Sequence, residues 1–480
     1  MIIGLYGKEK LVKRHYDMLL KVKDKPNLKI IKSIYEINNS IDIVVSDVKL
    51  DVNQKIYLIK DTIQTALAYY YLTLNNKDWQ DVTSLEFLNL AISDIKTKSE
   101  ELLHKKLKTK YFSYEIAFDL KTGYSSTILP LVKEFDDKSN AAIFQNYEVL
   151  NDKNFKLKQI NKIVLDKNLD FNHRGSELLK VSKIFISPEF SKTQEEVINI
   201  SFPHGILMKP INPLTNINIM KYSDYIYVTT KYEMAKYIYI LQKFNHLLNK
   251  RLCLIPGGYP KLDKLRKDLK EDKTKKDSIL YAPTILEHNP EFQNSLSLLN
   301  GKEIIKYLLD NFLNYNIIFR PHPSVRRFKH TGYDITMEII NLFKDNPRFI
   351  YDDSVYYIDT FKRSEIMISD YSSSMITFSL STQRPFISLN NYDLSNEYKK
   401  VYGDLSLDIR KEIGFIVYEI DAIKQKIEQY LKDKEYYKNK IIEFSKNNIF
   451  NLDNSVEYFK NNLNYIKNGI HNENWIYIEK

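Results

Sequence analysis

The sequence predicts an α/β protein of parallel sheets in more than one domain, and three observations carry that expectation. Short apolar runs of strand length alternate with stretches of helical periodicity, the pattern of βαβ units. At 480 residues the chain exceeds what one hydrophobic core organises. Several apolar runs end in turns dense with reactive residues: Ser201-Phe-Pro-His204-Gly205, Arg320-Pro-His322-Pro-Ser324 and Ser369-Asp370-Tyr371-Ser372-Ser373-Ser374. Ligands of open α/β sheets bind outside the carboxyl ends of the strands, so these turns are where chemistry is expected.

Taken in order, the first hundred or so residues hold strand candidates at 2–5, 43–45 and 55–59, then helical patterns at 62–74 and 84–107. Gly4-x-x-Gly7 lacks the third glycine and the acidic partner of a dinucleotide fingerprint, so it reads as a tight strand-to-helix turn. A second unit has strands at 114–118, 141–144, 162–165, 183–186, 197–200, 225–228 and 252–255. Gly257-Gly258-Tyr259-Pro260 then makes a flexible turn, and 261–277, dense in alternating charge, reads as a surface helix running into a linker. A third unit has strands at 279–281, 317–320, 349–351, 366–369, 385–388 and 415–417, and closing helices from residue 421. The expected boundaries are 1–108 for an N-terminal α/β extension, 109–272, and 273–480 including the closing helices.

Composition narrows the function. A hydrophobic content of 43% with 28% charged residues suits a soluble globular protein. The longest apolar run, Ala66 to Leu72, is far short of a membrane span. The chain opens on a strand-like Met1-Ile-Ile-Gly-Leu-Tyr rather than a secretion signal, which predicts a cytoplasmic protein. Cys253 is the one cysteine, so no intrachain disulfide forms. The net charge of +10 admits nucleic acid, an anionic membrane face or an acidic substrate as partner. The lysines are interleaved with Asp and Glu, as on a solvated surface, and no RNA-binding signature or zinc-finger spacing is present. Nucleic acid is therefore not expected, and peripheral contact with a membrane remains open.

The three turns divide the chemistry. His204 leaves a strand between Pro203, which restricts the approach, and Gly205, which admits backbone or ligand closely. An imidazole titrating near neutrality can take a proton from an acceptor hydroxyl, and Lys209 adds a cationic rim. His322 stands between two prolines that rigidify its turn, beside Arg320, whose planar fork suits phosphate oxygens. Ser372, Ser373 and Ser374 open a helix, offering hydroxyls, free amides and the positive dipole end to an anion. Each turn also has a plainer use, as a core or capping histidine, a salt-bridged surface turn and an ordinary serine N-cap. Asp370 is placed to orient a histidine or accept a hydroxyl. Thr284, after Tyr281-Ala-Pro, reaches the cleft, and Arg384 adds a cation at the end of the serine helix. The nine histidines show no metal-ligand spacing.

In order, Pro203-His-Gly, Gly258-Tyr-Pro, Tyr281-Ala-Pro-Thr284, Arg320-Pro-His-Pro, Ser369-Asp-Tyr-Ser-Ser and Arg384-Pro resemble the CDP-glycerol glycerophosphotransferase family, the teichoic-acid-type polymerases and primases. The resemblance spans roughly residues 110–465. It implies a GT-B-like fold of two Rossmann-like domains facing across a cleft, with the acceptor on the N-terminal side and a CDP-linked polyol on the C-terminal side. It implies that His204 is the base and that His322, Ser372 and Ser373 hold the pyrophosphate. A glycan or lipid-linked hydroxyl is the expected acceptor. No Asp-x-Asp pair stands where a metal would be expected, so donor binding without metal or other cofactor is anticipated. Two features depart from the family: Pro203 stands where a Trp is usual, and the first hundred residues lie outside its core. Three rival readings follow from the same residues: an inverting glycosyltransferase using a nucleotide sugar, a nucleotide-sugar epimerase, and a noncatalytic nucleotide-binding subunit of a polysaccharide assembly. No paired carboxylates stand near the cleft motifs, which weighs against the epimerase.

Overall fold

A computed structural model gives the fold. Residues 7–26, 47–54, 59–113, 121–124, 145–156, 165–181, 191–196, 207–212, 285–295, 326–331, 391–398 and some isolated positions are outside the described residues. The helical stretches expected at 62–74 and 84–107 fall there, as do Pro203 and Lys209. The chain divides into two compact units, Met1–Phe112 with Asn168–Leu178, and Ser113–Lys167 with Leu179–Lys480.

The first unit carries a parallel sheet of β1 (Ile2–Tyr6), β2 (Asn27–Ile30), β3 (Ile43–Ser46) and β4 (Lys55–Leu58) in the order β2-β1-β3-β4. Gly4 lies within β1, where a side chain would collide with Ile31. Its role is close packing rather than cofactor binding.

The second unit contains two further sheets. One comprises β5 (Tyr114–Asp119), β6 (Ala141–Phe144), β7 (Asn161–Val164), β8 (Ser182–Ser187), β9 (Ile198–Ser201), β10 (Tyr225–Val228) and β11 (Leu252–Pro256). These pair in parallel in the order β11-β10-β9-β8-β5-β6-β7, and β18 (Ile476–Ile478) adds antiparallel to β11. The other comprises β12 (Ser278–Tyr281), β13 (Asn316–Phe319), β14 (Phe349–Tyr351), β15 (Ser364–Ser369), β16 (Phe386–Leu389) and β17 (Phe415–Val417), all parallel, in the order β14-β13-β12-β15-β16-β17. Both show the doubly wound order in which the first and fourth strands lie side by side. Strands such as Ser278–Tyr281 and Ser364–Ser369 are buried along their whole length, as a parallel sheet covered on both faces requires.

Helices α1 (Lys231–Phe244), α2 (Pro260–Leu269), α3 (Gly301–Asn311), α4 (Ser373–Thr382), α5 (Ala422–Lys432), α6 (Lys434–Asn448) and α7 (Ser455–Lys467) account for most of the covering layers. Two differences from the sequence reading have clear causes. The chain from Ser455 onward does not stay with the donor-side sheet, as the 273–480 boundary supposed. Phe459, Ile466 and Trp475 pack in the core of the β5–β11 sheet with Phe202, Tyr227 and Ile255, and β18 completes that sheet's edge. Apolar surface on α7 finds its cover there.

The Gly257-Gly258 turn is packed rather than flexible. Both amides donate to the Val228 carbonyl at 3.1 Å. A side chain on Gly257 would strike the Tyr227 ring, and one on Gly258, whose φ is 93°, would strike the Phe450 carbonyl. Beyond the turn, Asp263 of α2 accepts from the Asp453 and Ser455 amides at 2.9 and 2.8 Å. Arg266 donates to Asp453 Oδ1 at 2.6 Å and to the Leu380 carbonyl at 2.9 Å. The expected linker start is thus the junction through which both sheets are held. Gly258→Ala is expected to lower stability by about 2 kcal/mol or more, since left-handed backbone and a carbonyl collision act together. Chemical denaturation compared with wild type checks this, and an unchanged midpoint would contradict it.

Candidate active site

Strand order decides where the site forms. Each sheet of the second unit reverses its winding where the first strand meets the fourth, at β5/β8 and at β12/β15. A crevice opens at the carboxyl ends there. On the donor-side sheet that edge carries Thr284 after β12, Arg320 and His322 after β13, and 369–374 after β15. On the other sheet, Glu189 follows β8 and His204 follows β9.

Asp370 fastens the donor-side edge. It is buried to 1% exposure, and its Oδ1 accepts from the Thr284 amide at 3.0 Å, tying the end of β12 to the end of β15. Its carbonyl accepts from Ser388 Oγ at 2.9 Å, and Ser388 in turn accepts from the buried Arg410 at 3.1 Å. Arg410 is held by Asp408 through two bonds of 2.7 Å. The sequence reading made Asp370 a catalytic residue. Its observed contact gives it a positioning role, because Oδ1 holds the loop that presents Thr284.

The serine cluster divides its labour. Ser372 is the N-cap of α4, its Oγ accepting from the Ser374 amide at 3.3 Å and lying 2.6 Å from Ser374 Oγ. Ser373 faces the other domain. A Cβ placed on Gly205 would lie 2.9 Å from Ser373 Oγ. The turn carrying His204 therefore abuts the start of the serine helix, and Ile206, next along the turn, is buried in an apolar cluster with Met375 and Phe378. His322 leaves β13 on a turn closed by the Val325 amide donating to its carbonyl at 3.0 Å.

Two arginines expected to bind the donor do something else. Arg320 is nearly buried, paired with Asp352 at 2.6 Å, and also donates to Ser354 Oγ and the Ser354 carbonyl at 3.0 and 2.8 Å. It fastens the loop beyond β14. Arg384 donates to the carbonyls of Phe361, at 2.7 Å, and Ser364. It lies past the far end of α4, about 15 Å along the axis from the helix start that would cradle phosphate.

His204 keeps a 36% exposed side chain. Burial, with Lys261 adding to it, pushes its pKa down to about 4 instead of leaving it near neutrality. At neutral pH the imidazole is uncharged and able to accept a proton. Its Nδ1 lies 3.8 Å from Glu189 Oε1, and Tyr259 Oη donates to its carbonyl at 2.8 Å. Sequence reasoning missed Glu189, Tyr259 and Lys261. Each stands just beyond a strand end, so the strand-end rule that found His204 also pointed to them; Lys261 was read into the charged stretch that follows.

Residues 210–456 match the family described as CDP-glycerol:poly(glycerophosphate) glycerophosphotransferase. The chain belongs to this family. It is a glycerophosphotransferase-type enzyme, and His322, Asp370 and the serine helix lie inside the matched span while His204 lies just before it. The fold resembles that of the wall teichoic acid polymerase TagF, with 18% identity, 81% of this chain and 98% of that chain covered, and a TM-score of 0.51. A TagF variant soaked with CDPG matches at 17% identity, the same coverage and a TM-score of 0.51. The second unit is accordingly a GT-B-like pair of Rossmann-like domains. No curated protein matches the sequence.

Gly205→Ala is expected to reduce transferase turnover by roughly 10-fold or more while leaving thermal unfolding nearly unchanged. The new methyl displaces a rotatable serine hydroxyl rather than backbone, and misplacing a contact by a fraction of an ångström is costly in rate. Equal losses of turnover and stability would show a folding defect instead.

Proposed function

We propose that the protein transfers glycerol phosphate, or a closely related polyol phosphate, from a CDP-linked donor to a hydroxyl of a glycan or lipid-linked acceptor in the synthesis of a teichoic-acid-like or capsular polymer. The observation that carries the reading is the contact of the His204-Gly205 turn with Ser373, which sets a neutral base against a helix start suited to phosphate. Family membership supports the donor class.

In the reaction, the acceptor oxygen attacks the β-phosphorus of the donor as His204 takes the hydroxyl proton. The bond from that phosphorus to the bridging oxygen breaks, its electron pair leaves with CMP, and the proton later passes from His204 to solvent. In this reading Ser373, the positive end of α4 and His322 stabilise the charge that develops on the phosphates. Donors fixed in advance at such a position usually supply the largest catalytic term. We also propose that these groups hold the donor without a metal ion, and that the enzyme works at the cytoplasmic face of a membrane through peripheral contact. Among the described residues no helix is long and apolar enough to cross a membrane.

A donor panel of CDP-glycerol, CDP-ribitol, CMP-sugars and UDP-sugars with a mixed glycan acceptor, read by mass spectrometry, tests the assignment. CMP release with a product heavier by a polyol phosphate is expected. UDP release, or a product heavier by one sugar, would move the chemistry to glycosyl transfer. His204→Ala should lower kcat by at least about 100-fold with a smaller change in donor KM, and unchanged turnover would remove the base. Because the free-enzyme pKa of His204 lies at about 4, kcat/KM should hold as pH falls through 6.5 and decline only toward 4. A half-maximal point near 6.5 would contradict that environment.

A further inference from the structure

Lys261 has no part in the reaction outlined so far, and its surroundings give it one. It stands in the first turn of α2, immediately after the packed turn that holds Tyr259. Tyr259 reaches the His204 carbonyl from there. On the opposite side, Lys261 Nζ lies 5.3 Å from the centroid of the Tyr357 ring, which itself packs on Phe361 of the donor-side domain at 4.7 Å. Lys261 therefore sits between the His204 turn and the donor-side wall. Its neighbours in charge are differently placed: Arg320 is paired with Asp352 and Arg266 with Asp453. Among the described residues no carboxylate forms an ion pair with Lys261. A half-buried ammonium over a ring face has given up part of its water without gaining an anion, and a ligand phosphate supplies what it lacks.

We propose that Lys261 is the cation that meets the phosphates of the bound donor, and that this pairing switches His204 on as the base. The proposal rests on the function given above. Lys261 opposes protonation of His204, second only to burial. Donor phosphates neutralise that charge and bring their own negative charge close, so the proton affinity of the imidazole rises when the donor is in place. Glu189, at 3.8 Å, acts in the same direction. Among the described residues, the turn also meets the Tyr259 hydroxyl, with Glu233 of α1 acting on it weakly, and the Ser373 hydroxyl. The step keeps its balance: the acceptor hydroxyl's proton goes to His204, its oxygen gains the bond to phosphorus, and CMP leaves with the electrons of the bridging bond.

The test compares wild type with Lys261→Met, Lys261→Gln, Lys261→Arg and His204→Ala. Each is measured for thermal unfolding, CDP affinity by calorimetry, CMP release from CDP-glycerol, and the pH dependence of kcat/KM. Both neutral variants should unfold like wild type, bind CDP about 10-fold or more weakly, and show an acid limb displaced upward from pH 4. Lys261→Arg should recover CDP affinity. In wild type, the His204 imidazole resonance, identified by its loss in His204→Ala, should titrate at higher pH with CDP bound than without. Wild-type CDP affinity and an unmoved acid limb in both neutral variants would overturn the proposal. If His204→Ala still abolished turnover, the base assignment would survive that result; full turnover in His204→Ala would instead remove the base assignment itself.

Discussion

The rest of the site depends on one constraint, the narrow gap between Gly205 and Ser373. Each sheet alone presents half of a site: a base turn on one, a phosphate-binding helix start on the other. Chemistry between them requires two independent domains to be set within a fraction of an ångström. The junction does this. The turn at Gly257-Gly258 is wedged under Tyr227 and against the Phe450 carbonyl, so α2 leaves β11 in one direction only. Asp263 then receives the returning chain at Asp453 and Ser455. Enclosing that carboxylate pushes its pKa up to about 6 despite its hydrogen bonds. Arg266 closes the loop by joining Asp453 to the last turn of α4, the helix whose other end carries Ser373.

Arginine is used in this protein chiefly as a fastener. Arg320, Arg384 and Arg410 each hold a loop or a strand end by donating to carbonyls, hydroxyls or a carboxylate of the chain itself. The same fork that suits phosphate suits these acceptors equally. A buried loop end with orphan carbonyls competes with a ligand for the guanidinium, and here the loop end wins. Among the described residues, the start of α4 and Lys261 supply positive potential at the crevice.

These outcomes mark what could be read in the sequence. Strands in the sheets that position the site were legible to within a residue or two, because fully buried parallel strands are continuous apolar runs. Asn27–Ile30 was missed because Asn27 and Lys29 break the run. Ile476–Ile478 was missed because only its pairing with Leu252–Leu254, far away in sequence, makes it a strand. Strand ends located His204, His322, Thr284 and the serine cluster, since topology alone puts strand ends at a crevice. The partner of each side chain was not legible. Asp370 meets Thr284 and Arg320 meets Asp352 through sheet pairing, and Lys261 lies in a charged stretch whose one inward position is fixed by the turn before it.

The networks also determine which charges can respond to a ligand. Arg410 with Asp408, Arg320 with Asp352 and Arg266 with Asp453 are neutralised within the protein, so an arriving phosphate changes little in them. Asp370 holds the Thr284 amide through Oδ1. His204 and Glu189 stand at the crevice 3.8 Å apart, and Lys261 acts electrostatically on His204. An electrostatic site is pre-organised where its dipoles cannot move and responsive where a group can still change its charge. The donor-side edge is of the first kind, built from buried hydrogen bonds and a helix start. The wall opposite is of the second kind, and that asymmetry places the response to donor binding beside the base, where the proton has to go.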